Sequence, residues 1–359
     1  MKPQPTKLSR FKGCLLGGAV GDAMGAPVEF MSLAEIRRKF GPDGITGYSP
    51  AYGRIGAITD DTQMTLWTVE GLLRYHCRGA TRGIVPSMPG MVHRAYLRWL
   101  ITQGASSRDD AFQYANDEEY PGWLIGVKDL HARRAPGNTC LAALMSAGMG
   151  TMDAPKNDSK GCGGVMRVAP AGLYEPHPAR AFKMGCEIAA LTHGHPAGYL
   201  ASGALAAIVA GIIQGGDLRA AVDAAMSILA AEPNAQETVE CVGRALSFIG
   251  KGADPIPETI GKIGQGWIAE EALAISIYCS LAHQDDFRKA VLLAVNHSGD
   301  SDSTGAITGN ILGTLLGVEA IPPEWIEHLE LRDEITTIAK DLHTKFRDGK
   351  KWFAKYPGG

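Results

Sequence analysis

Apolar residues recur at intervals of three and four along most of this chain, which is the spacing of one face of an α-helix. Alternation of apolar and polar residues, which is typical of a half-buried strand, is scarce. The pattern therefore predicts an all-α fold. Helices are predicted over 9–27, 33–40, 62–76, 91–103, 139–150, 178–192, 197–214, 217–231, 235–249, 268–281, 286–295, 303–317 and 323–346.

Polar residues at the starts of these helices supply capping groups. Ser32 and Glu35 form a capping box for the second helix. Thr62 or Asp61 is expected to cap the third helix, and Ser303 the twelfth. Their side-chain oxygens can accept hydrogen bonds from the free amides of the first turn.

Four long irregular segments separate the predicted helices, at 41–58, 78–90, 104–138 and 151–176. Loops of this length in a compact domain are often functional. Neither a break in composition nor a repeat divides the chain. We therefore expect a single domain over 1–359, with a core of about 9–346 and a C-terminal tail of 347–359.

One stretch, 196–216, carries no charge and is long enough to cross a bilayer. It is rich in Ala and Gly rather than Leu and Ile, and no second such stretch follows. Helices that are apolar all round also occur in the cores of large proteins. We therefore expect a buried core helix and no membrane association.

Two of the predicted helices carry glycine at every fourth position, so each has a bare stripe along one face. Each interior glycine costs about 1 kcal/mol relative to alanine, and close approach of helix backbones is the compensation expected. The two helices should pack tightly, either against each other or against other core helices, with their ends near the candidate site. The stripes consist of Gly13, Gly17, Gly21 and Gly25, and of Gly305, Gly309, Gly313 and Gly317.

Composition excludes several classes of protein. The 359 residues carry a net charge of −3, which gives no general attraction to nucleic acid, so nucleic-acid binding is not expected. The seven cysteines show no CxxC spacing, which argues against a disulfide framework and against a cysteine zinc site. The segment Met1 to Arg10 is polar and has no apolar stretch of signal-peptide type. These features indicate a reducing, cytoplasmic location.

Two short acidic clusters carry most of the candidate chemistry: Thr59-Asp60-Asp61-Thr62 and Asp300-Ser301-Asp302-Ser303-Thr304. Each precedes a predicted helix, so each could simply be a helix N-cap with acids placed favourably against the helix dipole. Two such clusters, both combining carboxylates with hydroxyls, favour a shared site instead. Their mutual repulsion is relieved by divalent cations, and Mg²⁺ and Mn²⁺ prefer such oxygen ligands.

The segment 159–167 is a glycine-rich loop of the kind that presents backbone amides to phosphate or ribose oxygens. It is not a Walker A loop, because no Gly-Lys-Ser/Thr follows the glycines. Its Cys162 has no activating base in sequence, so a packed or ligand-lining thiol is expected there.

Two further pieces complete the candidate residues. His193 and His195 stand two apart, a spacing that suggests metal ligands. Because hard oxygen clusters already serve the metals, structural or ligand-facing histidines are expected instead. Pro27 should end the first glycine helix. Glu29 then lies on the loop beyond it, either as a solvated carboxylate or as a site residue.

Together these residues resemble the ADP-ribosylglycohydrolase family, from near residue 9 to near residue 317 and in family order. The order of the paired acidic motifs is highly specific. The matching segments are GCLLGGAVGDAMGAPVEF (13–30), TDDTQMT (59–65), RRAPGNTC (133–140), SKGCGGVMRVAP (159–170), LTHGHP (191–196) and SGDSDSTGAITGNILG (298–313).

The resemblance implies a compact orthogonal helical bundle with a centre of two divalent cations, Mg²⁺ or Mn²⁺. Ser303 stands where many relatives carry Thr, and Cys162 where several carry Asn. Glu29 corresponds to a carboxylate near the substrate ribose. The implied metal ligands are Thr59, Asp60, Asp61, Asp300, Asp302 and Ser303. The implied catalytic residues are Glu29, Asp60, Asp61 and Asp302. The implied substrate-binding residues are Glu29, Gly161, Cys162, Gly163, Gly164, Val165, Met166 and His193.

The activity that the resemblance implies is metal-dependent hydrolysis of the bond between ADP-ribose and an acceptor, preferably arginine in mono-ADP-ribosylated protein. Serine linkages, O-acetyl-ADP-ribose and small guanidine compounds stay open as acceptors. So do a silent binding relative, an immunity protein against an ADP-ribosyltransferase toxin, and a two-metal phosphohydrolase. A cognate ADP-ribosyltransferase would be the natural partner. Acids that could receive a guanidinium are Asp109, Asp110, Asp117, Glu118 and Glu119.

Overall fold

A computed structural model describes residues 4–83, 85–115, 121–250 and 255–358. Over these ranges the chain forms eighteen α-helices and no strand, with isolated bridges between Ala51 and Arg54 and between Gly161 and Ile268. The all-α prediction is confirmed. The helices are α1 Lys7–Gly25, α2 Leu33–Phe40, α3 Asp60–Arg82, α4 Met88–Thr102, α5 Phe112–Ala115, α6 Asn138–Met145, α7 Ala169–Tyr174, α8 Pro178–Ala190, α9 Pro196–Ile213, α10 Leu218–Ala230, α11 Gln236–Leu246, α12 Pro257–Ile263, α13 Ala269–Ala282, α14 Phe287–Val295, α15 Ser301–Leu316, α16 Pro323–Glu327, α17 Arg332–Thr344 and α18 Lys350–Lys355.

The two glycine stripes face each other at the centre of the molecule. Helices α1 and α15 run antiparallel, so that Gly13 lies against Gly313, Gly17 against Gly309 and Gly21 against Gly305. A Cβ atom at any of these positions would overlap a backbone carbonyl of the other helix. Of the two arrangements expected, direct contact is therefore the correct one, and it brings the end of α1 beside the start of α15.

The charge-free stretch forms α9, which is long and apolar enough to cross a membrane by length and composition. In the fold it packs against α7, α8, α10 and α13, and 78% of it is buried inside the protein. Its place is therefore that of a core helix, as expected.

Helix caps agree with the prediction at one of three sites. Ser32 and Glu35 form the predicted capping box of α2. The caps predicted for α3 and α15 are wrong: Thr59 and Asp300 occupy those positions, one turn earlier in each case. The hydroxyl of Thr62 instead donates a hydrogen bond to Asp22, which lies in a distant part of the chain.

The predicted helix 323–346 is wrong, because it is broken into α16 and α17. Between them the amide of Glu330 bonds to the carbonyl of Gly56 at 3.0 Å, and Leu331 adopts a left-handed conformation with φ of 56°. The side chain of Glu330 turns inward to Arg54 and Arg134. Tertiary bonds to one buried carboxylate thus interrupt an otherwise helical pattern.

Several short helices lie where none is predicted, namely α5, α7, α12 and α18. Helix α6 also ends at Met145 rather than near 150, since Ser107 and the amide of Arg108 bond to its last carbonyls. The segment beyond 346 packs onto the core, with Trp352 and Tyr356 buried and the Tyr356 hydroxyl donating to Asp341 at 2.7 Å.

Candidate active site

The first acidic cluster is fixed by a carboxylate of the glycine helix. Asp22, fully buried on α1, accepts hydrogen bonds from the amides of Thr59 at 3.0 Å and Thr62 at 3.1 Å, and from the hydroxyl of Thr62. The amide of Asp60 donates to the carbonyl of Arg134 at 3.1 Å. These bonds hold Asp60 and Asp61 in the first turn of α3, where the helix dipole favours negative charge.

Sequence analysis gave Asp22 no role. The available signal was its isolation: it is the one charged residue in the span 13–28. A single carboxylate in an apolar stretch is costly to bury without partners, so it should have been read as an anchor for another segment.

The second cluster opens α15. The side chain of Asp300 caps the helix through the amide of Ser303, and the Asp300 amide donates to the carbonyl of Gln265 at 2.8 Å. Gly299 has φ of +143°, and a Cβ there would overlap the carbonyl of Gln265. Glycine is therefore required where these two backbone segments approach each other. A backbone hydrogen bond therefore fixes the cluster to segment 265–269, which leads into α13.

Glu29 completes the group. The chain turns back after α1, with the amide of Val28 bonded to the carbonyl of Gly25 at 2.8 Å. This turn brings one carboxylate oxygen each of Glu29, Asp300 and Asp302 within 4.8 Å of one another, all three residues being buried. Sequence analysis expected Glu29 near the substrate, but the structure also places it among residues that could hold a metal ion.

The electrostatics of the site fit a cation. Burial and the negative charge of Asp302 raise the pKa of Asp22 to about 7 and that of Glu29 to about 11. The same two causes, in the same order, raise the pKa values of Asp60, Asp61 and Asp300 well above the ordinary carboxyl value. Glu29 Oε2 and Asp61 Oδ2 are buried without a hydrogen-bond partner in the described ranges. Oxygen donors this crowded and incompletely bonded match the ligand preference of a hard divalent cation.

The glycine-rich loop lies opposite the acidic clusters. The amide of Cys162 donates to the carbonyl of Trp267 at 3.1 Å, and the amide of Ala269 donates to the carbonyl of Lys160 at 2.8 Å. The Cys162 Sγ of this loop donates to Asp300 Oδ2 at 2.7 Å. Burial, and then the charge of Asp300, raise the pKa of this thiol well above its ordinary value, so it is a protonated donor here. The loop is thus tied to the same segment 265–269 that anchors Asp300.

His193 is a neutral wall of the site. It is 1% exposed, and burial followed by the charge of Arg167 lowers its pKa to about 3. Its Nδ1 lies 2.9 Å from the hydroxyl of Thr192, to which Arg167 also donates at 2.6 Å. His195 caps α9 by accepting from the amide of Ala197 at 3.1 Å, which is a structural role.

A cavity of about 520 Å³ joins these elements, within the range of small-molecule sites. Two substrate-binding candidates do not line it: Gly164 lies against Ala189 and Ser202, and Val165 is fully buried. Thr59 is fully buried and also does not line it. The candidates that do line it are Glu29, Asp60, Asp61, Gly161, Cys162, Gly163, Met166, His193, Asp300, Asp302 and Ser303.

Sequence analysis missed the outer wall of this cavity. Arg133 and segment 135–140 form one side, and the stacked rings of Phe30 and Trp267, with centroids 5.7 Å apart, stand at the mouth. The sequence motif at 133–140 predicts no role for these residues. A larger cavity of about 1030 Å³ lies beside the opposite ends of α1 and α15, away from the acidic clusters.

Two of the five acids expected to receive a guanidinium lie in the described residues, and neither lines the cavity. Asp109 is bonded to His93 at 2.9 Å and to the amide of Ala111 at 2.7 Å, and neither it nor Asp110 lines the cavity. Asp117, Glu118 and Glu119 lie outside the described residues. The Asp109 carboxylate, which the sequence offered as a guanidinium receptor, is thus already occupied by local hydrogen bonds.

An all-helical fold that converges buried carboxylates and hydroxyls on one cleft, opposite a glycine-rich loop, defines a helical hydrolase with a candidate metal centre. The sequence model of the ADP-ribosylglycohydrolase family matches residues 3–351, so the chain belongs to that family. It is accordingly an enzyme, a hydrolase that acts on ADP-ribose linkages.

Relatives and solved structures agree along nearly the whole chain. The ADP-ribosyl-[dinitrogen reductase] glycohydrolase of Rhodospirillum rubrum is 28% identical over 92% of this chain and 93% of its own length. The ADP-ribosylarginine hydrolase Tri1 of Pseudomonas putida is 25% identical over 93% of this chain and 78% of its own. The solved structure of an ADP-ribosylglycohydrolase-related protein complex superimposes with a TM-score of 0.63 at 25% identity, covering 94% of this chain and 98% of that one.

Proposed function

We propose that this protein hydrolyses the N-glycosidic bond between ADP-ribose and arginine in mono-ADP-ribosylated protein. The observation that carries the proposal is the convergence of Glu29, Asp300 and Asp302 in a cavity walled by a glycine-rich loop. The arginine linkage is supported by the ADP-ribosylarginine hydrolase among the relatives. It is also supported by the aromatic pair Phe30 and Trp267 at the mouth, whose rings offer a face to a planar guanidinium.

The proposed centre takes two divalent cations, Mg²⁺ or Mn²⁺. When bound, such cations polarise substrate oxygens and make water a better nucleophile. The residues proposed to hold them are Thr59, Asp60, Asp61, Asp300, Asp302 and Ser303.

The chain's own groups then have separate tasks. The amides of the loop from Gly161 to Gly163 bind diphosphate and ribose oxygens, and neutral His193 closes the wall without adding charge. The Glu29 carboxylate stabilises positive charge that develops at the anomeric carbon as the bond to the acceptor nitrogen breaks. Water supplies a hydroxyl group to that carbon and a proton to the leaving nitrogen.

We also propose a cytoplasmic location and a partnership with a cognate ADP-ribosyltransferase that makes the substrate. All seven cysteines are free thiols, which fits a reducing compartment. The single-domain organisation stays a prediction; one hydrophobic core, from Phe11 to Tyr356, is consistent with it.

The test is release of free ADP-ribose from arginine-ADP-ribosylated protein, with Mg²⁺ or Mn²⁺ and with EDTA. Wild type should release it only with the cation, and Asp302→Ala should lose the activity. Asp223→Asn, which removes an exposed ion-pair partner of Arg219 on α10, is the matched control and should behave as wild type. Release from serine-linked substrate alone would overturn the arginine linkage, and release in EDTA would overturn the metal dependence.

A further inference from the structure

Arg167, which follows the glycine-rich loop, is a fully buried cation that pairs with no carboxylate in the described part of the chain. Its guanidinium lies 4.4 Å from the ring centroid of Tyr96. It donates to the hydroxyl of Thr192 at 2.6 Å, to the carbonyl of Ile188 at 3.4 Å and to two sulfur atoms. Burying a cation without a paired anion is costly, so this position calls for a reason beyond packing.

The hydroxyl of Thr192 lies between Arg167 and His193. A guanidinium has only donors, so the Thr192 oxygen accepts from Arg167 and keeps its own proton for another acceptor. Nδ1 of His193 lies 2.9 Å away. The sulfur of Cys140 is also near this hydroxyl, but sulfur is a weak acceptor. Thr192 therefore donates to Nδ1. The opposite direction would leave a fully buried hydroxyl proton with no better acceptor than that sulfur.

The other ring nitrogen of His193 faces the ligand cavity. A Cβ atom at Gly161 would lie 3.4 Å from Nε2, and one at Gly163 would lie 3.3 Å from it. All three residues line the cavity. No hydrogen bond joins Nε2 to another of the described residues, although the side chain is 1% exposed. Nε2 is thus a buried polar atom that a ligand beside the loop can reach.

The two sides of the ring together determine where its proton lies. Burial, and then the charge of Arg167, lower the pKa of His193 to about 3, so the ring carries a single proton at neutral pH. In a neutral imidazole, the hydrogen bond made by one nitrogen sets the protonation of the other. Because Nδ1 accepts from Thr192, the proton is on Nε2 and is presented to the cavity.

We propose that Arg167 and Thr192 are positioning residues that fix His193 as a permanent Nε2–H donor to a phosphate oxygen of the ADP-ribose diphosphate. The inference rests on the proposed function and deepens it, because it names the ligand group that this histidine recognises. A ribose hydroxyl can donate or accept, so it gains little from a partner of fixed direction. An ionised phosphate oxygen only accepts, and hydrogen bonds to charged oxygens are the stronger kind.

The first test is nitrogen-15 NMR of the ligand-free protein labelled in its histidines, with the His193 signals assigned by their loss in His193→Gln. Wild type should show a protonated Nε2 and an unprotonated Nδ1. Arg167→Met should raise the population protonated at Nδ1, because the Thr192 oxygen is then free to accept. A wild-type ring protonated at Nδ1 or at both nitrogens, or an unaltered ring in Arg167→Met, would overturn the proposal.

The second test is calorimetric binding of ADP-ribose and of adenosine, which lacks the diphosphate. Thr192→Val keeps the branched shape and removes the hydroxyl. It should bind ADP-ribose about tenfold more weakly, the loss expected for one hydrogen bond to a charged oxygen, and adenosine as wild type does. Thr192→Ser keeps the hydroxyl and should restore the affinity.

The matched control is Thr314→Val, which removes a buried hydroxyl on α15 outside the cavity and should bind both ligands as wild type does. Equal weakening of ADP-ribose and adenosine by Thr192→Val would indicate a merely structural role and overturn the proposal. Thr192→Val also serves for the NMR test if Arg167→Met fails to fold, and it too should raise the population protonated at Nδ1.

The outcomes separate this inference from the function proposed above. Release of ADP-ribose by a protein whose His193 is protonated at Nδ1 would overturn the positioning role alone. Absence of both binding and release of ADP-ribose would overturn the proposed function and, with it, the contact to the diphosphate.

Discussion

Buried acids in this protein have roles that depend on the partner each one finds. Asp22 accepts from two amides and a hydroxyl, so its carboxylate stabilises a loop. Glu29, only seven residues further on, lies among other carboxylates, and one of its oxygens has no hydrogen-bond partner among the described residues. The first is an anchor, and the second is placed to act on a ligand.

Glu29→Gln should separate catalysis from stability. The substitution removes a carboxylate beside the proposed anomeric carbon, so turnover should fall about 10²-fold or more. Burial beside Asp302 and Asp300 raises the pKa of Glu29 to about 11, so metal-free wild type must take up a proton at this group when it folds at neutral pH. Glutamine needs no such proton, so the metal-free variant should unfold at a higher temperature than wild type. Steady-state release of ADP-ribose and thermal unfolding measure the two effects.

The control for Glu29→Gln is Glu240→Gln, an exposed position on α11 where neither quantity should change. If Glu29→Gln kept turnover within a few-fold of wild type, Glu29 would have no part in the chemistry.

Among the helices, the contact between α1 and α15 decides where the site lies. Glycines on both helices allow backbones to meet where side chains would hold them apart. The contact also fixes the antiparallel register, which places Gly25 beside Ser301. A shift of that register would separate Asp22 and Glu29 from Asp300 and Asp302.

Gly21→Ala should be severely destabilising. A Cβ at Gly21 would overlap the carbonyl of Gly305, and forced overpacking in a core costs about 1–3 kcal/mol or more. Gly243→Ala on α11 is the matched control, because nothing lies within 4 Å of its Cβ. There alanine should stabilise by up to about 1 kcal/mol through helix propensity.

Urea unfolding of both variants measures these free energies. Equal effects of the two substitutions would show that propensity, rather than the close contact of the helices, governs the Gly21 position.

For the whole molecule, the converging carboxylates make stability depend on pH and cation together. In the metal-free protein the pKa of Asp22 is raised to about 7 and that of Glu29 to about 11. The folded state therefore holds more protons than the unfolded state above the ordinary carboxyl pKa of about 4. By linkage, these groups make the free energy of unfolding fall as pH rises toward the raised values.

We expect the thermal midpoint in EDTA to fall between about pH 7.5 and pH 8.5, a range that lies above most of the histidine titration near pH 6.5. Histidines matter because His193, whose pKa is lowered to about 3, acts in the opposite direction at lower pH. Mn²⁺ should raise the midpoint, and more so at pH 8, because a cation that binds only the folded state stabilises it and competes with protons.

Scanning fluorimetry across this range, with EDTA and with Mn²⁺, checks the expectation. Glu29→Gln should show a shallower fall in EDTA. A midpoint that rises with pH in EDTA would contradict the assigned direction of the carboxyl pKa shifts.

By itself the sequence determined the helical class, most helix positions, the paired acidic motifs and the resemblance that names the family. These depend on local spacing: a period of three to four, glycine at every fourth position, and carboxylates beside hydroxyls. The capping box at Ser32 was predictable for the same reason, since both partners lie within one turn.

Only the tertiary structure decided which groups meet. It broke the predicted helix 323–346 at Glu330, moved the caps to Thr59 and Asp300, and bonded Asp109 to His93. It also carried Glu29 and the Cys162 thiol to Asp300, across more than a hundred residues of chain in each case. Such contacts depend on the packing of distant segments, which local spacing does not encode.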